Sequence, residues 1–300
     1  MCLIAFAIGA SPGCPLVIAS NRDEFLDRPT LPLDRWQTAC GQEIISGRDL
    51  RAGGTWLGIT PAGRVAFLTN VREPKAEVAA LSRGDLVIRW LESHGDTASF
   101  GALLEKDSQR YGGFNLVLGD VQKNTWTWMT NRPVAPLSGL HSKTLVPGVY
   151  GLSNAALDAP WPKSLALKNA LMASLQKKAL SNSQDDSWQG LLWTALGNRA
   201  PAPFHSSPTT GLSHAMEVAL SSVFVDSPEH GYGTRSSTVL VASKVLETIP
   251  GKFLRIDMTE QTHKRSLVDE LSSISSFNFF TDLTQPPEIS EAGQKRCGWH

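Results

Sequence analysis

The alternation of apolar and polar positions predicts hairpins in the first half of the chain. An apolar, β-prone run over residues 2–8 is followed by turn residues and a second run over 16–20. This pattern predicts a hairpin whose first strand begins at Cys2. Two further hairpins are predicted in GGTWLGITPAGRVAFLTN, with its turn at 61–63, and in FNLVLGDVQKNTWTWMTN, with its turn at 120–124.

Helical spacing of apolar residues predicts four helices between and after these hairpins. The first covers residues 82–92 with Ser82 as its N-cap, and the others cover 96–110, the segment PWPKSLALKNALMASLQKKAL and 185–196. Pro162 fits the first turn of the third helix. Strands are then predicted in SSVFVD, GTRSSTVLVAS and KVLETIPGKFLRIDM.

Strands at both ends with helices between them indicate an α+β fold. No repeat or clear linker divides the chain, so we expect one domain over residues 1–265. The remaining residues, 266–300, are mostly polar, and we expect a loosely packed C-terminal extension there.

Charge and composition restrict the function classes. The 300 residues contain 28 basic and 28 acidic side chains, so no global field favours nucleic acid or an anionic membrane surface. No apolar run is long enough for membrane insertion, and the N-terminus lacks the basic start of a secretion signal. The sequence therefore predicts a soluble, cytoplasmic protein with a small-molecule ligand.

Four cysteines are spread along the chain without a metal-binding pattern. Cys2, Cys14, Cys40 and Cys297 form no Cys-x-x-Cys pair and no ligand spacing with the seven histidines. We therefore expect reduced thiols and no metal site. For Cys14 and Cys40 the simplest interpretation is a small apolar side chain in the core.

Cys2 has the strongest chemical signature. Methionine is readily removed when the next residue is small, and its loss would give Cys2 a free α-amino group. An α-amine with a pKa of roughly 7.7 to 8 can take the thiol proton near neutral pH. The resulting thiolate attacks acyl carbons. A cysteine at position two is also common by chance, so the argument depends on the residues around it.

The hairpin returns four polar residues, Asn21 to Glu24, beside Cys2. Arg22 could lower the pKa of the thiol, and Asp23 could hold the α-ammonium by a charge-assisted hydrogen bond. In a regular strand, however, Arg22 and Glu24 face one side while Asn21 and Asp23 face the other. The alternative interpretation of this run is a solvated strand end with a surface ion pair.

Further candidates lie in other segments. Asn70 in FLTN and Asn154 in YGLSN could donate to a developing oxyanion, although asparagine at a strand end is often a turn former. Arg235 could bind a substrate carboxylate, and Asn21 and Trp56 are further candidates for the walls of a substrate site. The glycine-rich segments lack a nucleotide-binding motif.

A set of motifs resembles the NRDE family, the transport and Golgi organization protein 2 homologues. The matching segments occur in order along nearly the whole chain: MCLIAF, NRDE at 21–24, GGTWLG at 53–58, FLTN at 67–70, YGLSN with DAPWPK at 150–163, and YGTRSST at 232–238. The resemblance implies the four-layer αββα sandwich of N-terminal-nucleophile (Ntn) hydrolases.

The resemblance also implies two functions that differ. Fold relatives such as penicillin V acylase cleave amides with an N-terminal cysteine and no cofactor, which implies catalytic roles for Cys2, Arg22, Asp23, Asn70 and Asn154 and a role for Arg235. Those hydrolases separate the arginine and aspartate along the strand, whereas here the two are adjacent.

The NRDE family itself is associated with haem mobilisation and trafficking. A haem carrier would use an apolar cleft and an axial ligand, for which Cys2, His214, His230 and the terminal residues 297–300 are candidates. The sequence leaves open whether the chain is an amidohydrolase or binds haem as cargo.

Overall fold

The strands of the protein supply two stacked sheets. The computed structural model describes residues 2–73, 78–180, 186–203, 208, 210–245, 253–263 and 273–282. Within these residues the strands are β1 (Cys2–Ser11), β2 (Cys14–Phe25), β3 (Thr30–Gln37), β4 (Glu43–Asp49), β5 (Leu57–Ile59), β6 (Arg64–Asn70), β7 (Phe114–Asp120), β8 (Thr125–Thr130), β9 (His141–Thr144), β10 (Gly148–Leu152), β11 (Asp226–Ser227), β12 (Tyr232–Lys244), β13 (Phe253–Thr262) and β14 (Ser273–Asp282).

The helices form two groups along the described chain. They are α1 (Arg83–Glu92), α2 (Thr97–Glu105), α3 (Pro162–Leu180), α4 (Gly190–Leu196) and α5 (His214–Ala219). As predicted, α3 begins at Pro162. The α2 helix is capped by Asp96, which accepts from Ser99 N at 2.8 Å. Ser82 is the N-cap residue of α1, as predicted, although its side chain makes no capping hydrogen bond.

Both sheets are antiparallel. The strand order places the first predicted hairpin in the centre of the first sheet. The first sheet runs β10-β1-β2-β12-β13-β14, with β11 paired to β12, and the second runs β3-β4-β5-β6-β7-β8-β9. The three predicted hairpins are confirmed as β1–β2, β5–β6 and β7–β8. Because β1 and β2 are central, Cys2 begins a strand that has a neighbour on each side.

The main core lies between the two sheets. Ile4, Phe6 and Ile18 from the first sheet pack in one cluster with Phe67 and Val117 from the second. The Phe6 and Phe67 rings meet edge to face with centroids 5.0 Å apart. Alternate residues of β1 and β2 therefore face this interior, while the residues between them face outward.

Helices cover the outer faces of both sheets. Leu167 and Leu171 of α3 and Leu192 of α4 pack on Leu3 and Val17 of the first sheet. On the second sheet, side chains from α1 and α2 pack in the same way: Leu86, Val87, Trp90, Phe100 and Leu104 contact Ala66, Leu68, Leu116 and Leu118. The layers confirm the α+β class and the four-layer αββα sandwich.

Two predictions for the last third of the chain need correction. SSVFVD is not a strand over residues 221–225, since β11 contains only Asp226 and Ser227. Phe224 N instead donates to Asn198 O at 2.8 Å, outside any strand ladder. In the segment expected to pack loosely, Ser273–Asp282 forms β14 and pairs with β13 along its length. The predicted Pro-Gly turn lies outside the described residues, and the domain boundary at 265 stays a prediction.

The cysteines also differ from expectation. Cys2 and Cys14 are free and buried, as expected, but Cys40 is disulfide-bonded, so the prediction of a reduced thiol is wrong there. Cys297 lies outside the described residues. In the part of the chain that the structure describes, no helix has the length and apolar character needed to cross a membrane.

Candidate functional site

Strand register places Cys2 at one end of the space between the sheets. Cys2 pairs with Arg22 of β2, and it belongs to the inter-sheet core with Ile4. On its other side, Ile4 pairs with Leu152 of β10. The pairing of β1 with β10 ends there, and Asn154 follows two residues beyond the end of β10. Cys2 therefore has Arg22 as its cross-strand neighbour, and Asn154 lies just past the end of the adjacent strand.

Arg22 is held in place as a buried positive charge. Its guanidinium carbon lies 4.3 Å from the centre of the Trp56 ring. Its Nη1 donates to Thr30 Oγ1 at 3.2 Å, and its Nη2 lies 3.9 Å from Glu24 Oε2. The side chain is 4% exposed. Trp56, a predicted substrate-wall residue, thus faces the site as the support of Arg22.

Burial makes the Cys2 thiol harder to deprotonate. Burial raises the pKa of Cys2, and the negative charge of Asp23 raises it further, while the positive charge of Arg22 opposes both. A buried thiol of this kind needs a neighbouring base to form the thiolate.

The two candidate oxyanion donors are bonded to each other. Asn154 Nδ2 donates to both the backbone oxygen and Oδ1 of Asn70, each at 3.1 Å. Asn70 Nδ2 makes no hydrogen bond with any described residue, and the Asn70 side chain is half-buried at the end of β6. Asn154 therefore orients Asn70, and Asn70 has the amide hydrogens left to donate.

Asp23 lies on the opposite face of β2 from Arg22. Its Oδ1 accepts from Thr234 Oγ1 at 2.7 Å, and its backbone oxygen accepts from Tyr232 Oη at 2.9 Å. Burial raises the pKa of Asp23, and the positive charge of Lys163 at the start of α3 opposes the shift. The pairing of β2 with β12 has a bulge at this step, but Arg22 stacks on Trp56 of the second sheet while Asp23 bonds to Thr234, so the predicted division of Arg22 from Asp23 is present. Asp23 sits one position beyond the Cys2–Arg22 pair, beside the entry of the chain into β1.

Asn21 lies on the outer face of β2 with Asp23, and its side-chain amide is hydrogen-bonded to other parts of the protein. Its Nδ2 donates to Leu196 O and Val223 O, each at 2.9 Å. Its Oδ1 accepts from Ser237 Oγ at 2.6 Å. With both amide hydrogens engaged away from the cleft, Asn21 ties β2 to α4, and it has none left for the substrate contact predicted for it.

Arg235 organises a turn. It occupies a bulge where the pairing of β12 with β2 shifts between Thr234 and Ser236. Its Nη1 donates to the backbone oxygens of Phe25, Leu26 and Arg28 at 2.8, 2.9 and 3.2 Å. These bonds fix the connection from β2 to β3. The substrate-binding role suggested by the sequence stays a prediction.

The candidate haem ligands differ in their exposure to solvent. His214 is an exposed residue of α5, and His230 is an exposed residue whose Nδ1 lies 2.8 Å from Ser227 Oγ. Cys2, in contrast, is buried between the sheets. Residues 297–300 lie outside the described chain. Haem binding stays a prediction.

Sequence reasoning missed several charged residues near this site. Lys163 is 3% exposed at the start of α3, and burial lowers its pKa to about 8 against the opposing charge of Asp23. Arg72 and Glu217 form a buried ion pair at 2.6 Å. The signal for Lys163 was its place in DAPWPK and its helical spacing with Leu167 and Leu171 on the apolar face of α3.

These features define a class. A four-layer αββα sandwich, here with a buried cysteine at the start of a central strand, is a fold of the Ntn-hydrolase type. The chain belongs to the Transport and Golgi organisation 2 family, whose model matches residues 1–262.

Named relatives come from several animals. The chain is 32% identical to the Transport and Golgi organization protein 2 homolog of Homo sapiens over 257 residues, covering 80% of this chain and 88% of the relative. It is 30% identical to the Transport and Golgi organization protein 2 of Drosophila melanogaster over 262 residues, covering 81% and 89%.

Solved structures resemble the chain more distantly. The C2A mutant of conjugated bile acid hydrolase from Clostridium perfringens matches with a TM-score of 0.44 at 8% identity, covering 92% of this chain and 97% of that chain. The N-acylethanolamine-hydrolyzing acid amidase ortholog of Caenorhabditis elegans matches with a TM-score of 0.33 at 11% identity, covering 73% and 97%.

Proposed function

We propose that this chain is an N-terminal-cysteine hydrolase that acts on a small amide or related acyl compound. One observation supports this most strongly. The pairing of β1 with β2 puts Cys2 beside Arg22 in the core that meets the second sheet, and Asn154, just past the end of the neighbouring β10, is bonded to Asn70. A nucleophile, a fixed cation and amide donors then share one end of the cleft, which acyl transfer requires.

The proposed reaction begins after removal of Met1. The Cys2 α-amine takes the thiol proton, directly or through water, and the sulfur attacks the acyl carbon. The developing oxyanion accepts from Asn70 Nδ2, which Asn154 orients through its two hydrogen bonds. The α-ammonium returns the proton to the leaving amine as the C–N bond breaks. Water then hydrolyses the thioester, with the same amine as base, and restores the thiol.

The neighbouring charges support these steps. Arg22, stacked on Trp56, opposes the rise in the pKa of the Cys2 thiol that burial causes. Asp23, beside the start of β1, would hold the α-ammonium that forms during the reaction. The proposed chemistry requires no cofactor. The cytoplasmic location of the protein stays a prediction.

The first experiment tests whether Met1 is removed and whether the Cys2 thiol is reactive. Intact-mass spectrometry before and after brief exposure to iodoacetamide, followed by peptide mapping, should show loss of Met1 and preferential labelling of Cys2. Cys14 is the matched control, because it is also a free and buried cysteine. The Cys2→Ala variant should lose the fast labelling and all turnover, and the Cys14→Ala variant should keep both.

The opposite result is equally informative. Retained methionine, or a Cys2 that reacts no faster than Cys14, would contradict the hydrolase mechanism. Haem binding, the alternative from the family resemblance, would then be tested by titration of the same protein, with a changed Soret band in Cys2→Ala expected if that thiol ligates the iron.

A further inference from the structure

Arg83, the first residue of α1, lies beside the candidate oxyanion donor Asn70. Its Nη1 donates to Gly113 O at 3.2 Å, and Val71 N donates to the same oxygen at 2.8 Å. Val71 follows Asn70 directly, and Asn70 pairs with Phe114 at the end of β6. The guanidinium of Arg83 is therefore held at the end of β6, where the proposed oxyanion would form.

Close backbone packing keeps the start of α1 beside Trp56. Thr55 N donates to Gly84 O at 3.3 Å. A Cβ built on Gly54 would lie 2.5 Å from the backbone carbonyl carbon of Gly84, so this approach requires glycine. Because Gly84 follows Arg83, the contact holds the backbone of Arg83 next to the segment that carries Trp56.

The charges of the candidate site also act on Arg83. Burial lowers the pKa of Arg83, and the negative charges of Glu24 and Cys2 are the largest effects that oppose this shift. This coupling agrees with the position that the hydrogen bond to Gly113 gives. Arg83 is only half-buried, so a small solute can reach its guanidinium.

Two other arginines near the site already have carboxylate partners. Arg28 Nη2 lies 2.6 Å from Asp49 Oδ2, and Arg132 Nε lies 2.7 Å from Glu73 Oε1. In contrast, no carboxylate among the described residues forms an ion pair with Arg83. Its one hydrogen bond there, to a backbone oxygen, leaves other N–H groups of the guanidinium able to donate.

Two further cations near Cys2 are too buried to receive a solute. Arg22 is 4% exposed and is stacked on Trp56. Lys163 is 3% exposed and belongs to α3, which covers the outer face of the first sheet. Of these cations, Arg83 is therefore the one that combines exposure with available donors.

We propose that Arg83 binds a carboxylate of the substrate, so that the compound cleaved at Cys2 is an amide or related acyl compound with a negative charge. A guanidinium matches the two oxygens of a carboxylate with a pair of N–H donors. A carboxylate held beside Asn70 would orient the scissile carbonyl toward the Cys2 sulfur. The inference rests on the proposed function, because it names the substrate class of the Cys2 site.

Binding is measured on the Cys2→Ala protein, in which turnover is absent. Succinamate, the monoamide of succinate, is the anionic probe, and succinamide is its neutral match. The Nε–Hε NMR signal of Arg83, assigned by triple-resonance experiments, should shift with succinamate and not with succinamide. Arg83→Gln should weaken succinamate binding by about tenfold.

A second measurement uses the Cys2 thiol as the reporter. Iodoacetate and iodoacetamide alkylate a thiolate by the same substitution, in which the sulfur displaces iodide, but only iodoacetate carries a carboxylate. Arg83→Gln should lower the ratio of the iodoacetate rate to the iodoacetamide rate by about tenfold. The ratio removes any effect of the variant on the pKa of the thiol, because both reagents react with the same thiolate.

Arg89 is the matched control on the same helix. Its Nη1 donates to Asp107 Oδ2 at 3.0 Å and to Tyr111 Oη at 2.8 Å, so Arg89→Gln should leave succinamate binding and the alkylation ratio unchanged. If Arg83→Gln does not fold, the comparison of the two probes on protein with native Arg83 still decides the question. Equal binding of succinamate and succinamide, or an unmoved Arg83 signal, would overturn the inference. The binding test does not depend on the Cys2 thiol, so the hydrolase proposal is judged separately.

Discussion

At the scale of single residues, Arg22 is the cation on which the proposed nucleophile depends. Its guanidinium is held by Trp56 and Thr30 and has almost no exposure to water. A charge fixed in this way is screened less than a surface charge. The pKa of Cys2 is raised by burial, and Arg22 opposes that rise.

Replacing Arg22 should therefore make the thiol less acidic. We expect Arg22→Gln to raise the pKa of Cys2 and to slow its alkylation at pH 7 by about tenfold. The rate is measured with iodoacetamide across a pH series. Arg48→Gln is the control, because Arg48 stacks on Trp36 at 4.5 Å in the same manner on another strand. Equal alkylation rates in Arg22→Gln and the native protein would contradict the role of Arg22.

At the scale of elements, β4 determines the position of Trp56. Gly47 lies beneath the indole, and a Cβ built on Gly47 would be 2.4 Å from Trp56 Cη2. The close approach requires glycine, because any side chain at this position would displace the ring. The stack of Trp56 on Arg22 therefore depends on Gly47, a residue of the other sheet from Arg22.

Gly47→Ala should thus reproduce part of the effect of Arg22→Gln. We expect a loss of about 1–3 kcal/mol in the free energy of unfolding from overpacking. Cys2 should also be alkylated more slowly, because Arg22 loses its support. Urea denaturation and the alkylation assay measure the two effects. Gly13→Ala is the control, since a Cβ there meets nothing within 4 Å. An unchanged alkylation rate would show that the ring does not position Arg22.

The elements also show why some features were accessible to sequence reasoning. The β1–β2 hairpin follows from strong local alternation, and its register alone places Arg22 opposite Cys2. In contrast, β3 has mostly exposed residues and weak alternation, so it was not predicted. The approach of Lys163 to Asp23 depends on how α3 lies on the first sheet, and no local pattern encodes that distance.

At the scale of the whole molecule, polar side chains tie the two sheets together. Glu260 of β13 accepts from Leu33 N of β3 at 2.8 Å and from Thr238 Oγ1 at 3.2 Å. Thr281 of β14 donates at 3.0 Å to Pro61 O, in the turn between β5 and β6 of the opposite sheet. These bonds add to the apolar contacts between the two sheets and help to fix the relative position of the sheets.

Glu260 should make the stability of the molecule depend on pH. Burial raises its pKa above the ordinary 4.5, while its hydrogen bonds oppose the shift. The folded state then keeps a proton that the unfolded chain loses, so the free energy of unfolding falls as pH rises from about 4.5 through the raised pKa.

Glu260→Gln removes this titration and keeps an oxygen for Leu33 N. We expect the variant to gain stability relative to the native protein as pH increases over that window. Urea denaturation of both proteins at several pH values between 4 and 8 measures the difference. A difference in stability that stays constant with pH would show that Glu260 does not titrate in this way.

The opposed faces of β2 also restrict how the chain can change in length. Arg22 faces the cleft and Asp23 faces the helical layer, so one residue inserted within β2 before them would exchange their sides. Arg22 would then be driven against α3, and Asp23 would enter the cleft. The same insertion at residues 12–13, in the turn, would alter neither side chain. The register of β2 is therefore fixed, so an insertion or deletion within this strand should be more damaging than a substitution.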